Sequence, residues 1–129
     1  MPEDDYAVVT PEDVEPELFD TVDVEHLKYT PALGCTDTRV NLTTVDPGEG
    51  VTPHAHERQE ELFVPLSGGQ IEIEGEVHDV PEGGVVRVGP DPVRAVVNHT
   101  DEPHTWVMVG APPVGTLDGF GEYVLSDGE

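Results

Sequence analysis

Basic residues are scarce in this chain. It holds 5 Lys+Arg against 28 Asp+Glu in 129 residues, a formal net charge of -23, and Lys28 is its only lysine. A chain so poor in cations cannot neutralise clustered phosphates, so nucleic acid and anionic membrane surfaces are excluded as partners. Cysteine is almost missing too. Cys35 stands alone, which excludes an internal disulfide and a thiolate metal cluster. No apolar run approaches the ~20 residues of a membrane span. The opening residues, MPEDDYAVV, have no basic region ahead of an apolar one, so no secretory signal is expected. There is no Gly-x-Ser-x-Gly elbow, no P-loop and no dinucleotide fingerprint. These absences point to a soluble cytoplasmic protein.

What is present suits a globular domain. Hydrophobic residues make up 36% of the chain and charged residues 26%, which is ordinary for a folded protein. The length allows one domain with one modest core. The acids are spread through segments that alternate apolar and polar, which argues against a disordered acidic chain. A charge this high repels itself at low salt and keeps the protein soluble when salt screens it. In this respect the composition resembles that of cytoplasmic proteins from salt-accumulating archaea, so a halophilic protein is expected.

Glycine (14) and proline (13) cut the chain into short pieces. Residues 1–37 are rich in proline and acid and read as an extended arm, with one helical turn near 11–19, packed on the main domain or on a partner subunit. Residues 38–112 carry short strands between turn residues: 39–45 (RVNLTTV, period two), 53–56, 61–66, 70–74, 76–80, 85–88, 93–98 and 105–109. Residues 113–129 form a tail whose Phe120, Tyr123, Val124 and Leu125 could add a last strand. Many short strands with Gly/Pro turns, without helical periodicity, indicate an all-β sandwich or barrel, mainly antiparallel.

The segment 48–68, GEGVTPHAHERQEELFVPLSG, proposes a chemistry. His54 and His56 are two apart, so on a strand they share a face. Glu61 is out of phase by simple parity, but the polar bend at 57–59 can reset it. Two imidazoles and a carboxylate suit Fe, Mn, Ni, Co or Zn and leave coordination positions open. Such a site acts as a Lewis acid or activates water. Glu60 is the neighbouring alternative to Glu61.

Here the sequence resembles the cupin superfamily. Its first motif is a Gly, five residues, His-x-His, three or four residues, Glu, six residues and Gly; Gly48, His54, His56, Glu61 and Gly68 fit every position. The spacing to Gly68 selects Glu61 over Glu60. The second motif is weaker: Gly75, Pro81, Gly83 and later Asn98. The resemblance spans about residues 38–112. It implies a double-stranded β-helix, or jelly-roll barrel, with a divalent metal inside its mouth, and a homodimer with the arm packed on the partner. It also implies a small-molecule ligand and, for an enzyme, an oxygenase- or isomerase-type reaction. A non-catalytic binding or sensing module, with or without metal, is the competing reading.

One position departs from the family pattern. The second motif normally supplies a His ligand four residues before the Asn, and here that position is Arg94. Arginine does not act as a ligand. Arg94 could anchor an anionic substrate beside the metal, fold onto Glu61 in place of the metal, or point to the rim; the substrate-facing role is the one taken forward. His26 and His78 sit among acids and read as surface residues. Asn98 reads as a turn or barrel-closing residue, and Trp106 with Met108 as core. The charge makes one prediction. In a KCl series followed by circular dichroism, the melting midpoint is expected to rise with salt and the cooperative transition to be lost in dilute buffer. A cooperative melt retained in dilute buffer would count against the halophilic reading.

Overall fold

The structure, a computed structural model, describes residues 6–18, 24–56, 58–112 and 124–125. Its elements begin with a 3₁₀ turn at Pro11–Asp13. Strands β1 (Glu17–Leu18) and β2 (Glu25–Lys28) and a short helix α1 (Tyr29–Leu33) follow. Then come β3 (Arg39–Val45), β4 (His54–Ala55), β5 (Glu60–Pro65), β6 (Gly69–Ile73) and β7 (Glu76–Val80). The last are β8 (Val86–Val88), β9 (Arg94–Val97), β10 (His104–Ala111) and β11 (Val124–Leu125). No helix among the described residues is long and apolar enough to cross a membrane.

The strands form two antiparallel sheets, ordered β1-β2-β3-β10-β5-β8 and β11-β4-β9-β6-β7. This is the expected all-β, jelly-roll architecture. Between the sheets lies one core: Val45, Phe63, Val88 and Trp106 from the first, Ile71, Ala95 and Val96 from the second. Part of the arm is built into the first sheet. Its β2 pairs with β3, His26 opposite Thr43 and Lys28 opposite Asn41, so the arm extends the six-stranded sheet. The turn expected near 11–19 is the 3₁₀ turn at Pro11–Asp13.

Local chemistry explains the turns. Glu74 and Gly75 join β6 to β7 with φ of 52° and 83°, the two positive values that a type I′ hairpin needs. A glutamate tolerates this conformation poorly, and two bonds to Val93, just ahead of β9, offset the cost. Glu74 N donates to the Val93 carbonyl at 2.8 Å, and Val93 N donates to Glu74 Oε2 at 2.7 Å.

Asn98 closes the barrel, as its motif position suggests. It is fully buried. Its Nδ2 donates to the carbonyls of Val45 at 2.9 Å and Glu102 at 2.7 Å. Its Oδ1 accepts from Thr100 N at 2.9 Å and Thr100 Oγ1 at 2.7 Å. The amide's capacity is filled by β3 and by the loop it holds.

Trp106, the only tryptophan, lies across Gly69. A Cβ at residue 69 would stand 2.6 Å from Trp106 Cζ2. The ring is wedged in the core edge-to-face with Phe63 at 6.3 Å and cannot move aside cheaply. Gly69→Ala is therefore expected to cost ~1–3 kcal/mol in urea unfolding and to change the near-UV signal of Trp106. A variant as stable as wild type would refute this packing.

Candidate metal centre

The three proposed ligands come from both sheets. His54 lies on β4, directly opposite Arg94 of β9. His56 follows two residues on, its backbone N bonded to the Pro90 carbonyl at 2.9 Å. Glu61 lies on β5 between Gly110 of β10 and Val88 of β8. The chain crosses from one sheet to the other between His56 and Glu60. Parity along one strand therefore does not govern Glu61, and the crossing turns its carboxylate toward the histidines.

One donor atom from each of His54, His56 and Glu61 falls within 4.8 Å of the other two. Donors sharing one ion at ~2.1 Å lie at most ~4.2 Å apart, so small side-chain rotations complete the closure. His54 Nδ1 donates to the Thr52 carbonyl at 2.8 Å. That bond fixes the tautomer and leaves Nε2 as the lone-pair donor. Burial lowers the His54 pKa, against the raising effects of the Thr52 bond and Glu61, so the ring is neutral as a ligand must be. Burial acts to raise the Glu61 pKa, but the contact with His56 and, with it, the positive charge of Arg94 outweigh it and hold the carboxyl below its ordinary value. Glu61 Oε1 is 3.2 Å from His56 Nε2 and 3.3 Å from Arg94 Nε. These are ion-pair distances without hydrogen-bond alignment, so Oε1 is a buried oxygen with no hydrogen bond. A buried carboxylate oxygen in that state is a strong acceptor. The donor set fits a divalent ion.

Arg94 is completely buried, which rules out the rim placement. Its Nη1 donates to the carbonyls of Pro90 at 3.1 Å and Pro92 at 3.0 Å. Its Nη2 donates to Val88 at 3.2 Å and to Gly89. The fifth N–H, on Nε, faces Glu61. A guanidinium has five N–H donors, and all five are directed at protein acceptors. The side chain has folded onto Glu61 and onto the loop before β9. This departs from the substrate-facing role expected from the sequence, because no donor remains for a ligand.

A cavity of about 50 Å³ opens beside His54 and Glu61. Its walls include residues that sequence reasoning passed over: His26, Arg39, Asn41 and Gln59. The surface position expected for His26 is incorrect, for it is 4% exposed, with Nδ1 2.8 Å from Thr43 Oγ1. Pairing of β2 with β3 turned it inward. A readable signal lay in RVNLTTV. Its buried face is Arg39, Asn41, Thr43 and Val45, while Val40 and Leu42 face outward. An inward face that is polar over three positions marks a wall lining a cavity. Gln59 is held across Gly110, where a Cβ would approach within 2.6 Å of its carboxamide carbon. Its Nε2 donates to the Pro112 carbonyl at 3.0 Å.

Burial, helped by Lys28 and opposed by Glu17, pushes the His26 pKa from 6.5 down to about 4. Arg39, His54 and Glu61 share its cavity. In the unfolded chain this histidine charges as pH falls through 6.5, whereas in the fold it stays neutral until about pH 4. Its contribution to stability is therefore complete above pH 6.5 and disappears between there and pH 4, a loss of about 3 kcal/mol. His26→Asn keeps a donor toward Thr43 and removes the titration. The gap in unfolding free energy between wild type and variant is expected to shrink by that amount from pH 7 to pH 4. A gap independent of pH would refute the assignment.

The cupin domain family model matches residues 41–110. Solved structures agree. A cupin protein from Bacteroides fragilis is 25% identical over 84% of this chain and 91% of its own, with a TM-score of 0.61. A sugar phosphate isomerase from a cupin superfamily, of Silicibacter pomeroyi, is 19% identical over 95% of both chains, with a TM-score of 0.74. A polyketide cyclase from Streptomyces resistomycificus is 19% identical over 94% of this chain and 87% of its own, with a TM-score of 0.72. Among curated proteins none matches the sequence. With the family model covering more than half of its length, the chain belongs to the cupin domain family.

Proposed function

We propose that His54, His56 and Glu61 hold one divalent ion, Fe, Mn, Ni, Co or Zn, and that a small molecule binds beside it in the adjoining cavity. The observation that carries this reading is Glu61 Oε1, buried without a hydrogen bond and within reach of both imidazoles. At 19% identity the isomerase and cyclase neighbours speak for the fold, so the chemistry is read from the site. An ion with three protein donors would supply Lewis-acid chemistry at its open positions, which serves isomerase-type or oxygenase-type reactions. The chain's own contribution is to keep His54 neutral and oriented, to hold Glu61 ionised, and to line the cavity largely with apolar groups.

Arg94 opposes this ion. At about 5 Å and an effective dielectric of about 20, a unit positive charge repels an ion by ~3 kcal/mol per unit of ion charge. The four carbonyls bonded to the guanidinium place negative dipoles against it and offset part of this.

The outer face of the six-stranded sheet supports a homodimer. Leu42 stands opposite Leu27 and Val107, and Val107 opposite Val64; Leu62 beside them is 38% exposed. In a chain of charge -23 this apolar stripe is the face on which two copies can meet without stacking acids. The double variant Leu62→Lys, Val107→Lys is expected to run as a monomer by light scattering where wild type runs as a dimer. A monomeric wild type would sink the dimer.

The metal site is tested by loading the purified protein with Fe, Mn, Ni, Co or Zn in molar salt and measuring bound metal. About one equivalent is expected, and less than about a tenth with every metal would overturn the proposal. Arg94→His is expected to bind the ion at least about tenfold more tightly and to melt at a lower temperature, because the loop carbonyls lose their donor. Unchanged affinity in that variant would show that the guanidinium does not oppose the ion.

A further inference from the structure

Several polar groups on the cavity wall are engaged by the protein itself. Gln59 donates to the Pro112 carbonyl at 3.0 Å, and His54 Nδ1 donates to that of Thr52 at 2.8 Å. Arg39 has a partner of its own. Asn41 is a different case. It lies on the cavity wall and is 9% exposed, and its Oδ1 is buried without a hydrogen-bond partner. Its cross-strand neighbours supply none. Met108, opposite on β10, offers a thioether whose sulfur already accepts from Thr43 Oγ1 at 3.6 Å. Lys28, opposite on β2, pairs with Glu17 at 3.1 Å. An amide oxygen left in this state destabilises the fold. Leucine, of nearly the same shape, would pack there without that cost. A group retained against stability is one that function uses.

We propose that Asn41 is the specificity-determining residue of the cavity, and that the molecule it selects is a small compound bearing a hydroxyl group. A hydroxyl both donates and accepts, so it satisfies the amide whichever way the amide is turned. The carbon body of the molecule then lies against Val51, Phe63 and Met108, and its other end faces His54 and Glu61 on the same cavity. The cavity, about 50 Å³, suits a body of a few heavy atoms. The inference rests on the reading that a small molecule binds beside the candidate metal centre. The contact with Asn41 itself needs no ion.

The test compares two probes that differ only at this contact: hydroxyacetone and its isostere butanone, in which a methyl replaces the hydroxyl. Both are neutral, so the charge of the protein does not separate them. Each is titrated into metal-free and zinc-loaded protein in molar KCl and followed by amide NMR shifts. Wild type is expected to bind hydroxyacetone about fivefold or more tightly than butanone, the worth of one neutral hydrogen bond. Asn41→Leu is expected to lose or reverse that preference and to melt no lower than wild type, because a buried unpaired oxygen has been removed. A merely structural asparagine would show neither effect. Asn41→Ala carries the comparison if the leucine variant fails to fold. Equal affinity of wild type for the two probes, or a preference that survives in the variant, would overturn the role of Asn41 and leave ligand binding in the cavity standing. Binding of neither probe, with or without zinc, would overturn both.

Discussion

The structure turns on one buried guanidinium. Arg94 donates to four carbonyls of the segment 88–92 and faces Glu61 with its remaining N–H. The same loop supplies the Pro90 carbonyl that accepts from His56 N. The loop that leads into β9 and, through it, the backbone of one candidate ligand are therefore fixed by a single side chain whose charge also stands beside the carboxylate of another. Breaking such a group costs more than its net worth, because the four carbonyls would be left buried and unsatisfied.

That arrangement explains how an arginine can occupy a ligand position without collapsing the site. Arg94 stands at ion-pair distance from Glu61 but gives it no hydrogen bond. Here four carbonyl dipoles share the charge, and the Nε contact with Glu61 is 3.3 Å and unaligned. Glu61 stays ionised yet is not captured, which is the state a metal ligand must be in. Arg94 thus acts as a positioning residue for the loop and, through its charge, would set how tightly an ion could be held there.

Much of this was readable from residues alone. The all-β architecture followed from short alternating segments between Gly and Pro, and the triad from the spacing of His54, His56 and Glu61. Asn98 was legible as a structural residue. What could not be read were the consequences of pairing across long sequence separations. His26 looked like a surface residue because it stands among acids, and only the ladder with β3 turns it inward. Arg94 could be placed opposite the metal but not oriented, because its partners are backbone carbonyls, which carry no sequence signature. The tail beyond residue 112 lies outside the described residues except for β11, whose backbone pairs with β4 at Leu125 and His54. Arg39 and Asn41 were the missed signal. In RVNLTTV either face could have been the inner one, and the apolar set was the natural choice. The cavity reverses it, since Arg39 and Asn41 line its wall.

The distribution of charge completes the argument. A surface of charge -23 repels a carboxylate at a distance, and at low ionic strength that field extends ~30 Å. In 1 M salt it falls to ~3 Å, so an anion approaches the mouth unopposed. Inside, Arg94 is 0% exposed and stands 3.3 Å from Glu61, and charges so buried are screened far less by salt. Salt therefore acts on the surface and leaves the buried charges of the candidate site in place. The same salt that relieves self-repulsion in the fold keeps the electrostatics around Glu61 largely intact.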